Sequence, residues 1–169
     1  MQSDAFERAC RMHKDRVNSY AAMMLKDGEE ARDVTQEALV RLWQHWDRVE
    51  PDGQRTWLMR TTHNLCIDRI RKRRVRSEVD GENVLPFRAD GAPGPGELAQ
   101  ATELGRAIHE ALGELSPEDR AVVILREVQG LAYDEIALAL AVPLGTLKAR
   151  LHRARERLRA RLARAGVAP

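Results

Sequence analysis

Two cysteine–histidine pairs are the first residues in this chain whose types and spacing invite chemistry. "CRMH" places Cys10 and His13 at i and i+3, and "HNLC" does the same for His63 and Cys66, each pair on one face of a helix. Thiolate and imidazole are zinc ligands, and two such pairs brought together would complete a tetrahedral set. The spacing is not that of a zinc knuckle, however, and a cysteine commonly behaves as a small buried hydrophobe. No metal or cofactor is therefore expected. Catalysis has less to stand on. The chain has no phosphate-cradling glycine loop, nucleophile elbow or metalloprotease motif. Its "EE", "DE" and "PED" carboxylates fall on polar helix faces or caps, where solvation accounts for them. The sequence does not read as an enzyme.

A different chemistry, the reading of nucleic acid, is written in "YDEIALALAVPLGTLKARLHRAR" (133–155). Ile136, Ala137 and Leu140 give a two-turn helix an apolar face, "AVPLG" turns the chain, and helical pattern resumes from about 144 to 164. At 100° per residue, Leu147, Leu151, Ala154, Leu158 and Leu162 share one inward stripe. Opposite it lie Thr146, Ala149, His152 and Arg153, with Lys148 on the flank. Small residues allow close approach to a major groove, and arginine or lysine can reach guanine edges or phosphates. The same spacing also fits an ordinary helical hairpin, so the surrounding sequence must decide.

Charge supports the nucleic-acid reading. The net charge of +2 is unevenly spread. Residues 1–76 hold 16 Lys/Arg against 12 Asp/Glu, residues 77–113 hold 2 against 7, and residues 114–169 hold 10 against 7. "RIRKRRVR" (69–76) carries six cations and no acid, and 146–164 carries eight cations with Glu156 alone opposing them. Two basic tracts around an acidic middle point to two nucleic-acid contacts joined by a spacer. No apolar run approaches the roughly 20 residues that span a bilayer, and residues 1–30 lack a signal-peptide core. Membrane insertion and export are not expected, which places the chain in the cytoplasm.

The elements that must position these residues are helical throughout, since no alternating pattern persists. Helices are expected over 4–25, about 29–49, about 54–75 and about 98–113. Another begins where Ser116 caps, Pro117 takes the first helical position and Asp119 meets the positive end, and it closes at Gly130. In that helix Ala121, Val122, Ile124, Leu125 and Val128 are expected to face a core. Between 77 and 97 glycine and proline accumulate, giving a linker with little to bury and much backbone entropy to lose. The expected organisation is all-α, with two small helical domains at 1–76 and 98–169.

The helix over 29–49 also presents a protein-binding pattern. Ala31, Val34, Ala38, Leu42, Trp46 and Val49 make its inward stripe. The opposite side shows Asp33, Gln36, Val40 and Gln44, with Glu37 and Trp43 at its edges. An apolar valine among acceptors, with an aromatic alongside, suits an interface better than plain solvent. In the next helix Trp57 and Leu58 are expected to pack.

The run "LGELSPEDRAVVILREVQGLAYDEIALALAVPLGTLKARLHRARERLRARL" closely resembles region 4 of the sigma-70 family, above all its compact extracytoplasmic-function (ECF) group. "ARDVTQEALVRLW" (31–43) and "TWLMRTTHNLCIDRIRKRR" (56–74) are similar to region 2. Both sets occur in the expected order, with nothing like region 3 between them. The resemblance implies a factor that binds RNA polymerase core and directs it to promoters. It places Thr146, Lys148, Ala149, His152 and Arg153 at the −35 element. Asn64 falls at the position that captures an unstacked −10 base, where its amide offers both a donor and an acceptor. Arg69, Arg71, Lys72, Arg73 and Arg74 would follow the promoter phosphates. Asp33, Gln36, Glu37, Val40 and Trp43 would meet the clamp of the largest polymerase subunit, and the C-terminal domain the flap of the second-largest. An anti-sigma factor is a further implied partner. The match departs at Pro143, where a capping serine is frequent, and at Ala149 and His152. These departures bear on which bases are read. The competing reading, a stand-alone dimeric helix-turn-helix regulator, requires a dimerisation or sensing domain where 1–75 instead resembles region 2.

Overall fold

The computed structural model describes residues 1–80 and 102–167, and these divide between two compact units, Met1–Ala92 and Pro93–Pro169. The described residues contain helices and turns and no strand. Residues 81–97 of the expected linker, and 98–101 of the helix expected to follow it, lie outside the described residues.

The first unit is three helices. α1 (Gln2–Leu25) buries Ala9, His13, Val17, Tyr20, Ala21, Met24 and Leu25, a stripe at helical spacing. It stops at Lys26, whose left-handed φ of 55° turns the chain. Asp27 then caps α2 (Gly28–Gln44), its Oδ1 accepting from the amides of Glu29 and Glu30, each at 3.0 Å. α2 packs on α1 and α3 through Ala31, Val34, Ala38 and Leu42, all fully buried. The helix expected to reach 49 ends at Gln44, and Trp46–Arg48 forms a separate 3₁₀ turn. Val49 is nevertheless buried, so the inward stripe survives the break in the helix.

α3 (Gln54–Asp80) runs past 75, so residues 77–80 of the expected linker are helical. Leu58, Met59, Thr62, Leu65 and Cys66 form its inner face. Trp57, expected to pack, is half-buried beside His45, with ring centroids 5.7 Å apart. Thr62 is inside because its hydroxyl donates to the Leu58 carbonyl at 2.6 Å, which removes the cost of burying it. Burial of each large aliphatic side chain here stabilises the unit by about 1.5–3 kcal/mol.

In the second unit, Thr102 caps α4 (Glu103–Gly113) by accepting from the Gly105 amide. Ser116 caps α5 (Pro117–Val123), accepting from the Asp119 amide at 3.2 Å. Arg120, only 8% exposed, donates to the carbonyls of Leu112, Gly113 and Leu115. A guanidinium placed there both satisfies the orphan carbonyls at the end of α4 and meets its negative end. The chain continues as a π turn, Ile124–Val128, in which the Gln129 amide donates to the Ile124 carbonyl at 2.9 Å. Ala121, Val122, Ile124 and Leu125 are buried as expected, but Val128 is half-exposed at 51%. The extra residue in a π turn rotates the following positions off the helical stripe, and Gly130 (φ 68°) completes the exit.

α6 (Tyr133–Leu140) and α7 (Leu144–Arg164) form a helix-turn-helix, with Ala141 left-handed between them. Ile136 is buried as expected. Its buried companion is Ala139, while Ala137 and Leu140 are half-exposed and Leu138 faces out. The turn sets the rotation of so short a helix, and the sequence alone does not specify that rotation to within one residue. On α7, Leu147, Leu151 and Ala154 are buried, and Leu158 and Leu162 partly so.

Candidate nucleic-acid and protein interfaces

The leading half of α7 carries its polar residues outward. Thr146, Lys148, Ala149, His152 and Arg153 are all exposed, on the side away from the Leu147–Leu151–Ala154 stripe. Lys148 and Arg153 make no ion pair with any described residue, which leaves their charge for a ligand. The rest of the helix differs. Arg155 donates to Glu127 (Nε to Oε1, 2.7 Å), Arg157 to Asp119 at 3.0 Å and Arg159 to Glu156 at 3.0 Å, and Arg161 pairs with Glu114. The basic tract counted from sequence is therefore partly consumed within the unit.

On α3 the exposed line runs Arg60, Asn64, Asp68, Arg71 and Lys72, at spacings of about one turn. Asn64 is open to a ligand at its amide, and Arg69, five residues on, is half-buried. Sequence reasoning passed over Arg60, although its i−4 spacing from Asn64 puts it on the same face. Arg74 is exposed and pairs weakly with Glu78 at 3.6 Å. Arg73 departs from the rest: it is half-buried, pairs with Glu30 and donates to the Leu25 carbonyl at 2.9 Å. Burial pushes its guanidinium below the usual arginine range, against the opposing pull of Asp27. Arg73 ties α3 to the corner between α1 and α2, and its fork is already occupied.

The outward face of α2 keeps the expected set together. Asp33 and Gln36 are exposed, Glu37 is half-buried and pairs with Arg41 at 2.7 Å, and Val40 and Trp43 remain 48% and 45% exposed. Sequence reasoning missed that α1 supplies the other wall. Ser3, Phe6, Glu7 and Cys10 face Gln36, Leu39, Val40 and Trp43 across an open groove of about 470 Å³. Phe6 meets Trp43 and Trp46 edge-on at 4.9 and 5.5 Å, a geometry that aromatic pairs favour. The signal was present as Ser3, Phe6 and Cys10 at helical spacing. Nothing in α1 alone names α2 as its opposite wall.

The cysteine–histidine pairs are occupied otherwise. The His63 ring nitrogen Nδ1 bonds the Tyr20 hydroxyl at 2.9 Å, and His13 is buried, with burial and then Arg16 and Arg55 lowering its pKa. Among the described residues no group of three or more His, Cys, Asp or Glu side chains is arranged to hold a metal ion. Burial pushes the Cys66 thiol up to about 12, while Cys10 is half-exposed and only raised. Thiolate is the reactive form, so a thiol reagent at pH 8 should label Cys10 alone, and both cysteines after denaturation. Mass spectrometry of the labelled chain checks this. Two labels on the native protein would show that Cys66 is not sealed in the core.

No helix among the described residues is long and apolar enough to cross a membrane. Comparison with known proteins agrees with both halves of the chain. The family model Sigma-70 region 2 matches residues 10–76, and Sigma-70, region 4 matches residues 105–158. The ECF RNA polymerase sigma factor SigE of Mycolicibacterium smegmatis is 36% identical over 161 residues, covering 95% of this chain and 62% of SigE. The ECF RNA polymerase sigma factor SigW of Bacillus subtilis is 34% identical, covering 94% of this chain and 89% of SigW. Among solved structures, the sigma factor RpoE of Bartonella quintana, in complex with the anti-sigma factor NepR, aligns with a TM-score of 0.78 and 25% identity. That alignment covers 94% of this chain and 97% of RpoE. CnrH, in complex with the cytosolic domain of CnrY, shares the fold with a TM-score of 0.72 at 24% identity, over 95% of this chain and 89% of CnrH. With an outward basic helix in one unit, an acceptor-rich apolar groove in the other, and relatives matched along nearly its whole length, the chain belongs to the sigma-70 family, among the ECF RNA polymerase sigma factors.

Proposed function

We propose that this chain binds RNA polymerase core in the cytoplasm and directs it to a specific set of promoters, with no catalysis of its own. The observation that carries the reading is the order of two complementary surfaces in one chain, the α2 face followed by the outward face of α7. Asp33, Gln36, Glu37, Val40 and Trp43 dock on the clamp of the largest subunit, while the second unit meets the flap of the second-largest. Thr146, Lys148, Ala149, His152 and Arg153 enter the major groove at the −35 element. At the −10 element Asn64 takes an unstacked base, and Arg69, Arg71, Lys72 and Arg74 follow the phosphates. Arg73 positions α3 from inside the unit. The division between a region 2 domain over 1–76 and a region 4 domain over 98–169 belongs to the same proposal. So does control by an anti-sigma factor, which is supported by the RpoE complex with NepR.

The docking surface is testable by itself. Asp33→Lys combined with Val40→Arg places two cations on exposed positions, so the fold should persist while binding to core polymerase weakens roughly 10-fold or more. A desolvated interface tolerates uncompensated charge poorly. Native gel shift or biolayer interferometry with purified core reads the affinity, and circular dichroism confirms the helices. Wild-type affinity in the folded double variant would remove α2 from the interface.

A further inference from the structure

The eight cations between 146 and 164 do not form one population. Arg155, Arg157 and Arg161 turn back onto Glu127, Asp119 and Glu114, which belong to the π turn, the first turn of α5 and the end of α4. On the helical wheel, Arg155 lies about 40° to one side of Leu151, and Arg157 and Arg161 lie about 80–120° to the other side. The buried stripe of α7 is thus braced on both flanks. Glu127 and Asp119 are eight residues apart, or roughly 12 Å at 1.5 Å per residue, whereas Arg155 and Arg157 are two residues apart. α7 therefore lies across α5 and the π turn that continues it, and reaches from one flank to the start of α5 and from the other to the π turn. Tyr133, at the start of α6, lies close enough to Arg155 to act on it electrostatically, and the Arg126 guanidinium lies 4.7 Å from the centre of that ring.

The geometry points to Arg155, with Glu127 and Tyr133, and Arg157, with Asp119, as positioning residues that fix the rotation of α7 about its own axis, and so decide which side chains face the bases. This rests on the reading that α7 enters the major groove. A helix seated by aliphatic side chains alone can roll, because dispersion contacts are non-directional. A roll in either sense, however, pulls one of the two flanking arginines off its carboxylate. The Arg155 and Glu127 side chains are 34% and 48% exposed, and ion pairs of that exposure add little to stability, so the variants remain folded. A count of cations along the sequence includes Arg155 in the basic tract of 146–164, whereas here its Nε and one terminal nitrogen are held by Glu127.

The test uses the full chain as holoenzyme with core polymerase on a library randomised at the −35 element. Glu127→Ala and Arg155→Ala should each blur or shift base preference by roughly 2- to 5-fold, the most that a pair of this exposure can bias the rotation of α7. Neither should change the salt dependence of promoter binding. Glu127→Arg combined with Arg155→Glu should restore the wild-type preference, and Arg155→Lys should restore it in part. Arg153→Ala is the control for the reading beneath. If Arg153→Ala alters preference while the Arg155 and Glu127 variants do not, only the positioning role falls. If none of the three alters it, the groove assignment of α7 falls with it. Tighter binding by Glu127→Ala, with a shallower salt slope in Arg155→Ala and preferences intact, would make Arg155 a phosphate contact and overturn the inference.

Discussion

Arg153→Ala should relax base preference at one or two positions of the −35 element and lower transcription from promoters that carry the preferred base. Arg153 is exposed, makes no ion pair with a described residue, and lies beyond the first turn of α7 on the face opposite Leu147 and Leu151. A bidentate contact between arginine and guanine discriminates by about 1–3 kcal/mol. Lys148 provides the contrast, since on the flank of the face it is placed for a phosphate, which carries no sequence information. Lys148→Ala should therefore weaken all promoters alike and reduce the slope of log K against log salt by about 1. A scan of −35 mutations with both variants separates the two roles. If Arg153→Ala left every base preference intact, the wrong face of α7 would have been placed in the groove.

Leu151→Ala should destabilise the second unit by about 2–5 kcal/mol, the range for truncating a buried leucine. Leu151 is 1% exposed, between Leu147 and Ala154, where α7 packs on α5 and α6. The same change at Leu158, which is only half-buried, should cost much less. Urea unfolding followed by circular dichroism measures both. Equal losses at the two sites would mean that packing, and with it the inward stripe, is distributed differently along α7.

The sequence makes the helices of this protein legible to different degrees, for reasons visible in particular residues. The helix-turn-helix was readable nearly to the residue, at Tyr133–Leu140 and Leu144–Arg164, because a left-handed turn separates two runs of clear apolar spacing. Val128 was misassigned, and Ala139 passed over in favour of Ala137 and Leu140, because periodicity assumes an unbroken 3.6-residue helix, and a π turn at Ile124–Val128 and a short helix after it both shift the phase. The end of α2 at Gln44 was missed because Trp46 and Val49 continue the apolar pattern through a 3₁₀ turn. Charge was the least legible property. The partners of Arg155, Arg157 and Arg73 stand 28, 38 and 48 residues away, a separation at which no local pattern distinguishes a cation held by the protein from one offered to DNA.

The central claim is that the chain acts through RNA polymerase and not as a regulator by itself. Run-off transcription with purified core polymerase, over a genomic library of promoter fragments, tests this most directly. Core alone should give no discrete products. Adding the chain should yield discrete transcripts whose start sites share −35 and −10 elements, and the Asp33→Lys, Val40→Arg double variant should yield far fewer of them at the same concentration. If the chain alone bound a palindrome tightly as a dimer, and no discrete transcript appeared with core, the account would be contradicted in favour of a stand-alone helix-turn-helix regulator.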